Sequence, residues 1–202
     1  MSSARTAIVQ VFLPVVLLGV LLSPVAAFAQ EVALTIGRVV GDDVLDAVDD
    51  GVGLGFGDAG IYGARVSLGA ILLKVEGALL HSPIDLFVDT PAQLGSSITY
   101  AEIALAVNLV PGPISPFLAG GIGYHRISFD VVDADNYTTL GYNVGIGMKF
   151  GLGAVAARVD VRDHITPLKI DAIDPDVLPL LGLTADKTVH NFEMSLGLVL
   201  SF

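Results

Sequence analysis

The stretch Val189–Phe202, VHNFEMSLGLVLSF, decides the fold. Taken two residues at a time, it places His190, Phe192, Met194, Leu196, Leu198, Leu200 and Phe202 on one side. Val189, Asn191, Glu193, Ser195, Gly197, Val199 and Ser201 fall on the other. The first set is almost wholly apolar, the second mostly small or polar. Successive side chains of a β-strand point to opposite faces, so this pattern specifies a strand with one apolar face.

The same stripe recurs upstream. Leu140, Tyr142, Val144, Ile146, Met148 and Phe150 oppose Gly141, Asn143, Gly145, Gly147 and Lys149. Val155, Ala157, Val159 and Val161 oppose Ala156, Arg158, Asp160 and Arg162, and 62–68 and 99–109 behave alike. Eight strands are expected at 32–40, 60–68, 71–81, 98–109, 116–129, 139–150, 153–163 and 188–202. Strand 1 carries Arg38 on its apolar face, and the Gly-rich fifth strand leaves its phase open. The gaps 41–59, 82–97, 130–138 and 164–187 are long. Those around Gly69-Ala70, Pro111-Gly112-Pro113 and Gly151-Leu152 are short. Short turns at one end, long loops at the other and an even strand number are the connectivity of a transmembrane barrel. The expected fold is all-β, an eight-stranded antiparallel transmembrane up-and-down β-barrel.

Composition agrees. The chain is 53% hydrophobic with a mean hydropathy of +0.74, and 15% of its residues are charged, against about a quarter in soluble domains. At 202 residues it has no room for an unusually large core, so lipid is the better neighbour for its apolar surface. Ile103–Tyr124 is uncharged and long enough for a spanning helix, but three prolines and four glycines within it break one. A soluble barrel also alternates, with its apolar face inward. Here the less apolar faces mix Gly and Ala with charges, which suits a crowded lumen and turns the apolar faces outward. Tyr62, Tyr142 and Phe192 at one end, with Phe150 and Phe202 at the other, form two aromatic girdles in a chain without Trp.

The N-terminus reads as an export signal. Arg5 precedes a stretch from Ala7 to Leu22 that is apolar apart from Gln10, then Pro24 and Ala27-Phe28-Ala29. Cleavage between Ala29 and Gln30 makes 1–29 the signal peptide and 30–202 the barrel; a retained membrane anchor is the alternative. The absence of Cys excludes disulfides and thiolate metal sites. A net charge of −11 argues against nucleic acid.

Pro116–Arg126 (PFLAGGIGYHR) and the alternating last strand ending in Phe202 resemble the family of small outer-membrane β-barrel proteins, which includes the OmpA-like and OmpX-like barrels. The resemblance covers the whole of 30–202 as a pattern. It implies residence in a bacterial outer membrane, contact with outer-membrane lipid and lipopolysaccharide, and recognition of Leu198, Leu200 and Phe202 by the barrel assembly machinery.

The expected lumen holds Arg65, Lys74, Glu76, Glu102, Lys149, Arg158, Asp160, Arg162 and Glu193. Buried charge must be paired, so these residues are expected to plug the barrel, with Arg158 or Arg162 opposite Glu193 and with Lys74 or Arg65 between Glu76 and Glu102. An ion path and a general acid–base pair are the alternatives. His81, His125, His164 and His190 are expected at interfaces or in loops. The lipid-A-deacylase arrangement of outward His with nearby Ser fails for His125 and Ser128, which fall on opposite faces. No zinc-binding spacing such as HExxH is present, and neither a catalytic residue nor a cofactor is expected.

The long gaps are acidic, with Asp42, Asp43, Asp46, Asp49, Asp50 and Asp58 in the first, Asp130, Asp133 and Asp135 in the third and Asp171, Asp174, Asp176 and Asp186 in the fourth. Divalent cations are candidate partners there. The fourth also carries an apolar run from Val177 to Leu183. The function expected is non-enzymatic, serving envelope integrity or surface interaction through acidic extracellular loops. The alternatives are a narrow porin-like transporter of small hydrophobic molecules and a lipid-modifying enzyme.

Overall fold

The computed structural model describes residues 29–41, 54–56, 58–88, 93–129, 136–169 and 187–202. Nine strands lie in one antiparallel sheet: β1 (Ala29–Gly41), β2 (Leu54–Phe56), β3 (Ala59–Gly69), β4 (Leu73–Val88), β5 (Gln93–Asn108), β6 (Ile114–Phe129), β7 (Tyr137–Leu152), β8 (Val155–Leu168) and β9 (Lys187–Ser201). Eight of them close a ring in the order β4-β3-β1-β9-β8-β7-β6-β5, with β5 returning to β4. The three-residue β2 lies outside the ring, on the far end of β4. The expected fold is the observed one: an eight-stranded, all-antiparallel, up-and-down barrel.

The register fixes its shape. A path leaving β1 at Glu31 crosses Ser67, Glu76, Ala104, Gly121, Asn143, His164 and Asn191 in turn. It returns to β1 at Gly41, ten residues further along. Eight strands with that stagger tilt by about 40° and leave an interior just wide enough for side chains. Along β9, Phe192 and Phe202 then stand roughly 25 Å apart on the barrel axis, the height of the apolar band of an outer-membrane barrel.

The faces divide as the alternation demands. Leu34, Ile36, Ile103, Ile122, Ile146 and Leu196, on five different strands, are each more than half exposed. Their neighbours in sequence Ala33, Thr35, Glu102, Gly123, Gly145 and Ser195 line the inside. Tyr62, Tyr124, Tyr142 and Phe192 stand exposed toward the long-loop end, with Phe150 and Phe202 toward the short-turn end. Arg38 also points outward, bonded to Asp58 at 2.8 Å.

Three boundaries differ from the sequence expectation. The gap expected at 82–97 is mostly ladder: β4 and β5 stay paired out to Phe87↔Gln93, and β2 pairs with the outer end of β4 at Phe56↔Leu86. This ribbon continues past the ring, where hydrophobic alternation no longer marks a strand. β8 runs on to Leu168, so His164 belongs to the wall and not to a loop. The β7–β8 turn sits at Gly153-Ala154, two residues later than expected, because Gly153 (φ +72°) supplies the left-handed conformation. Residues 1–28, and with them the export segment, lie outside the described residues, and Ala29 and Gln30 open β1.

Glycine makes room inside. A Cβ built at Gly141 would stand 2.2 Å from the His125 ring, and one at Gly147 would stand 2.2 Å from the Phe117 ring. A Cβ at Gly77, on the outer face, meets nothing within 4 Å. Gly141→Ala and Gly147→Ala are therefore expected to destabilise the barrel by about 1–3 kcal/mol each through overpacking. Gly77→Ala is expected to stay within about 0.5 kcal/mol. Urea midpoints of the detergent-solubilised variants measure the difference.

Candidate functional site: the charged lumen

The inward positions form layers. At the short-turn end, Glu31 lies between Lys74 and Lys149, accepting bonds of 3.2 Å from Lys149 Nζ and an ion pair from Lys74. In the middle, the Glu76 carboxylate collects three guanidinium groups. Arg158 reaches Glu76 Oε2 at 2.5 Å and Arg162 reaches Oε1 at 2.6 Å. Arg65 approaches Oε1 at 3.4 Å. Asp160 accepts from both Arg158, at 2.6 and 2.8 Å, and Arg162, at 3.1 and 3.2 Å.

The next layer toward the long loops is built from histidine and glutamate. Glu193 accepts two bonds from Arg65 Nη2, at 2.7 and 2.8 Å, and one from Ser195 Oγ. His164 lies between Glu193 and Glu102, 2.8 Å from one and 2.9 Å from the other. His125 bridges Glu102 at 2.9 Å and Thr166 at 2.7 Å. Tyr100 stacks on the His164 ring at 4.3 Å and meets His125 edge-on at 4.9 Å. Beyond this, Ile61, Leu80, Ile98, Ile127, Leu168 and Val189 bury an apolar layer inside the barrel.

All nine charged residues expected in the lumen are on the inward face, but their partners differ from the expected ones. Arg162 and Glu193 are opposite each other in the ladder, yet Arg162 bonds to Glu76 and Asp160 while Glu193 is held by Arg65. Glu76 and Glu102 share no cation: Glu102 has only histidine partners among the described residues, and Lys74 is turned to Glu31. The reason is the narrow lumen. β4 and β8 are diametrically opposite in the ring, so long arginines on β8 bond across the interior to Glu76 instead of along their own edge.

The histidines divide. His81 and His190 lie on the outer face near the long-loop end, beside Thr99 at 3.0 Å and Asp163 at 2.8 Å. His125 and His164 are wholly buried, which corrects the expectation of interfacial or loop positions. β6 hid the first: Phe117 and Ile127 point inward and Arg126 outward, so hydrophobicity gives no phase. The length assigned to β8 hid the second. The one signal available was parity, since His164 continues the inward series Arg158, Asp160, Arg162. The acidic positions 42–50, 130–135 and 171–186 and the apolar run 177–183 lie outside the described residues, and Asp58 pairs with Arg38.

Chemically the lumen is a paired plug, with no open channel among the described residues. Replacing Glu76 leaves three buried guanidinium groups with only Asp160 and Glu193 as carboxylate partners, so Glu76→Ala is expected to destabilise the barrel by about 3–5 kcal/mol. Arg38→Ala breaks only an exposed pair and is expected to cost less than about 1 kcal/mol. Urea unfolding of the two variants in detergent, side by side, tests the contrast.

No protein-family model and no curated protein matches the sequence. Among solved structures, the chain is similar to Neisserial surface protein A, with a TM-score of 0.57 and 14% identity over 87% of this chain and 97% of that one. The N-terminal β-barrel domain of OprF from Pseudomonas aeruginosa aligns with a TM-score of 0.48 and 12% identity, covering 86% and 97% of the two chains. Ail, the attachment invasion locus protein of Yersinia pestis, solved with the heparin analogue sucrose octasulfate, aligns with a TM-score of 0.47 and 9% identity, covering 85% and 98%. The likeness to the Neisserial protein is one of fold: the chain has the fold of the small outer-membrane β-barrels.

Proposed function

We propose that the chain resides in a bacterial outer membrane as a closed, non-conducting and non-enzymatic barrel, serving envelope integrity or surface interaction at its long-loop end. The observation that carries this reading is the inversion of its two faces: apolar side chains stand exposed around the outer wall, while charged side chains are buried inside. In water that surface would drive association. In a bilayer it is the side in contact with lipid.

Other features support parts of the reading. The outward Leu198, Leu200 and Phe202 on the last strand are available to the assembly machinery. The sequence of residues 1–29, with its apolar run and Ala27-Phe28-Ala29, suits export. Acidic loops, bridged by divalent cations to lipopolysaccharide phosphates, supply the outer contact. A transporter with a side opening is disfavoured, because the described ladder is continuous around the ring. A lipid-modifying enzyme is disfavoured because His125 is enclosed by the lumen and Ser128 faces outward.

The test is membrane fractionation, with boiled and unboiled samples compared on a gel. The expected result is an outer-membrane band whose mobility changes on boiling and which adds no conductance to planar bilayers. A soluble band without a shift contradicts membrane residence, and discrete conductance steps contradict the plug.

A further inference from the structure

Glu102 on β5, His125 on β6 and His164 on β8 converge inside the barrel. Glu102 Oε1, His125 Nε2 and His164 Nδ1 lie within 4.8 Å of one another, each ring nitrogen 2.9 Å from the oxygen. All three side chains are buried. Glu102 has no Lys or Arg partner among the described residues, and its Oε2 is buried with no hydrogen bond. Over the whole lumen five cations face five carboxylates, but the second lysine beside Glu31 lies in the short-turn layer. The three arginines are held by Glu76, Asp160 and Glu193, so Glu102 is the one lumen carboxylate whose ion-pair partners are histidines alone among the described residues.

We propose that Glu102, His125 and His164 bind a divalent transition-metal ion of the zinc class. Imidazole nitrogen and carboxylate oxygen are the donors such an ion takes. The far nitrogen of each ring is already held, His164 Nε2 by Glu193 at 2.8 Å and His125 Nδ1 by Thr166 Oγ1 at 2.7 Å. For His164 the outer partner is a carboxylate, which only accepts, so Nε2 carries the proton and Nδ1 is bare when the ring is neutral. For His125 the Thr166 hydroxyl accepts from Nδ1 in the tautomer that leaves Nε2 bare for a metal. A neutral imidazole has one N–H. Without a cation, His164 would have to carry two protons to serve both Glu102 and Glu193; with the ion, one is enough. A further oxygen donor is Glu102 Oε2, buried with no hydrogen bond.

The site is closed on both sides, by the apolar layer of Ile98, Ile127 and Leu168 and by the arginine layer. The ion is therefore structural, a tie across the lumen from β5 and β6 to β8, and it enters as the barrel closes.

The test uses the full chain, expressed, extracted from membranes in detergent, unfolded in urea with a chelator, and refolded with zinc chloride or without it. After desalting, the zinc-refolded protein is expected to hold about one zinc per folded chain and to show a higher urea midpoint than the metal-free sample. The double substitution His125→Gln, His164→Gln abolishes both effects, with folding checked by the mobility shift on boiling. The double substitution His81→Gln, His190→Gln, on the outer face, leaves them intact. Thr166→Val weakens zinc affinity about 10-fold by freeing His125 Nδ1. A folded wild type that holds no zinc overturns the proposal, as does a folded lumen double variant that holds as much as wild type. If that variant does not fold, cobalt decides: the wild type refolded with cobalt chloride is expected to show a visible absorption band from nitrogen-ligated cobalt, and a colourless protein overturns the proposal.

Discussion

Everything in this molecule follows from closing the backbone ladder on itself. A strand facing lipid has no water to satisfy its N–H and C=O groups, so a sheet at membrane depth cannot have an edge. The first and last long strands remove it, β1 pairing with β9 from Glu31↔Ser201 to Gly41↔Asn191. The residue pattern that most clearly announces a strand, at the C-terminus, is therefore also the one that seals the ring.

Closure with eight strands and this stagger leaves a narrow interior, and the narrowness explains the lumen's unusual contents. Glycine on a neighbouring strand makes room for some of the large side chains inside, as Gly141 does for His125 and Gly147 for Phe117. The Phe117 ring in turn packs under the Arg158 guanidinium at 4.5 Å. Arginines that cannot reach water must find carboxylates across the barrel, and Glu76 serves three of them at once. Burying such groups costs several kcal/mol per ion, which only mutual pairing offsets. The result is a core that is polar where a soluble domain is apolar, and a wall that is apolar where a soluble domain is polar.

How much of this is legible in the sequence depends on the contrast between faces. On β7, β8 and β9 nearly every outward residue is large and apolar and nearly every inward one is small or charged, so strand, phase and facing all follow from alternation. On β6 the contrast fails. Gly120, Gly121 and Gly123 carry no hydrophobic signal, Phe117 and Ile127 point in, and Arg126 points out. The partnership of His125 with Glu102 stays hidden for that reason. Which charges share the lumen follows from parity alone. Which charge bonds which does not, because Arg162 ignores the glutamate directly opposite it in favour of one on the far side. The histidine layer was illegible for a further reason: Glu102, His125 and His164 come from three strands, and no local spacing ties them together.

The central claim is that the even-numbered residues of β9 face lipid and the odd-numbered ones face a sealed lumen. The chain has no native cysteine, so a nitroxide attached to a single introduced cysteine reports one position at a time. The decisive measurement is its relaxation by lipid-soluble oxygen and by a water-soluble nickel chelate, for each residue from Asn191 to Leu200 in reconstituted bilayers. The account predicts strong relaxation by oxygen at 192, 194, 196, 198 and 200 and weak relaxation by either reagent at the odd positions between them. Access of the nickel chelate to the even positions, or the absence of a period of two, contradicts it.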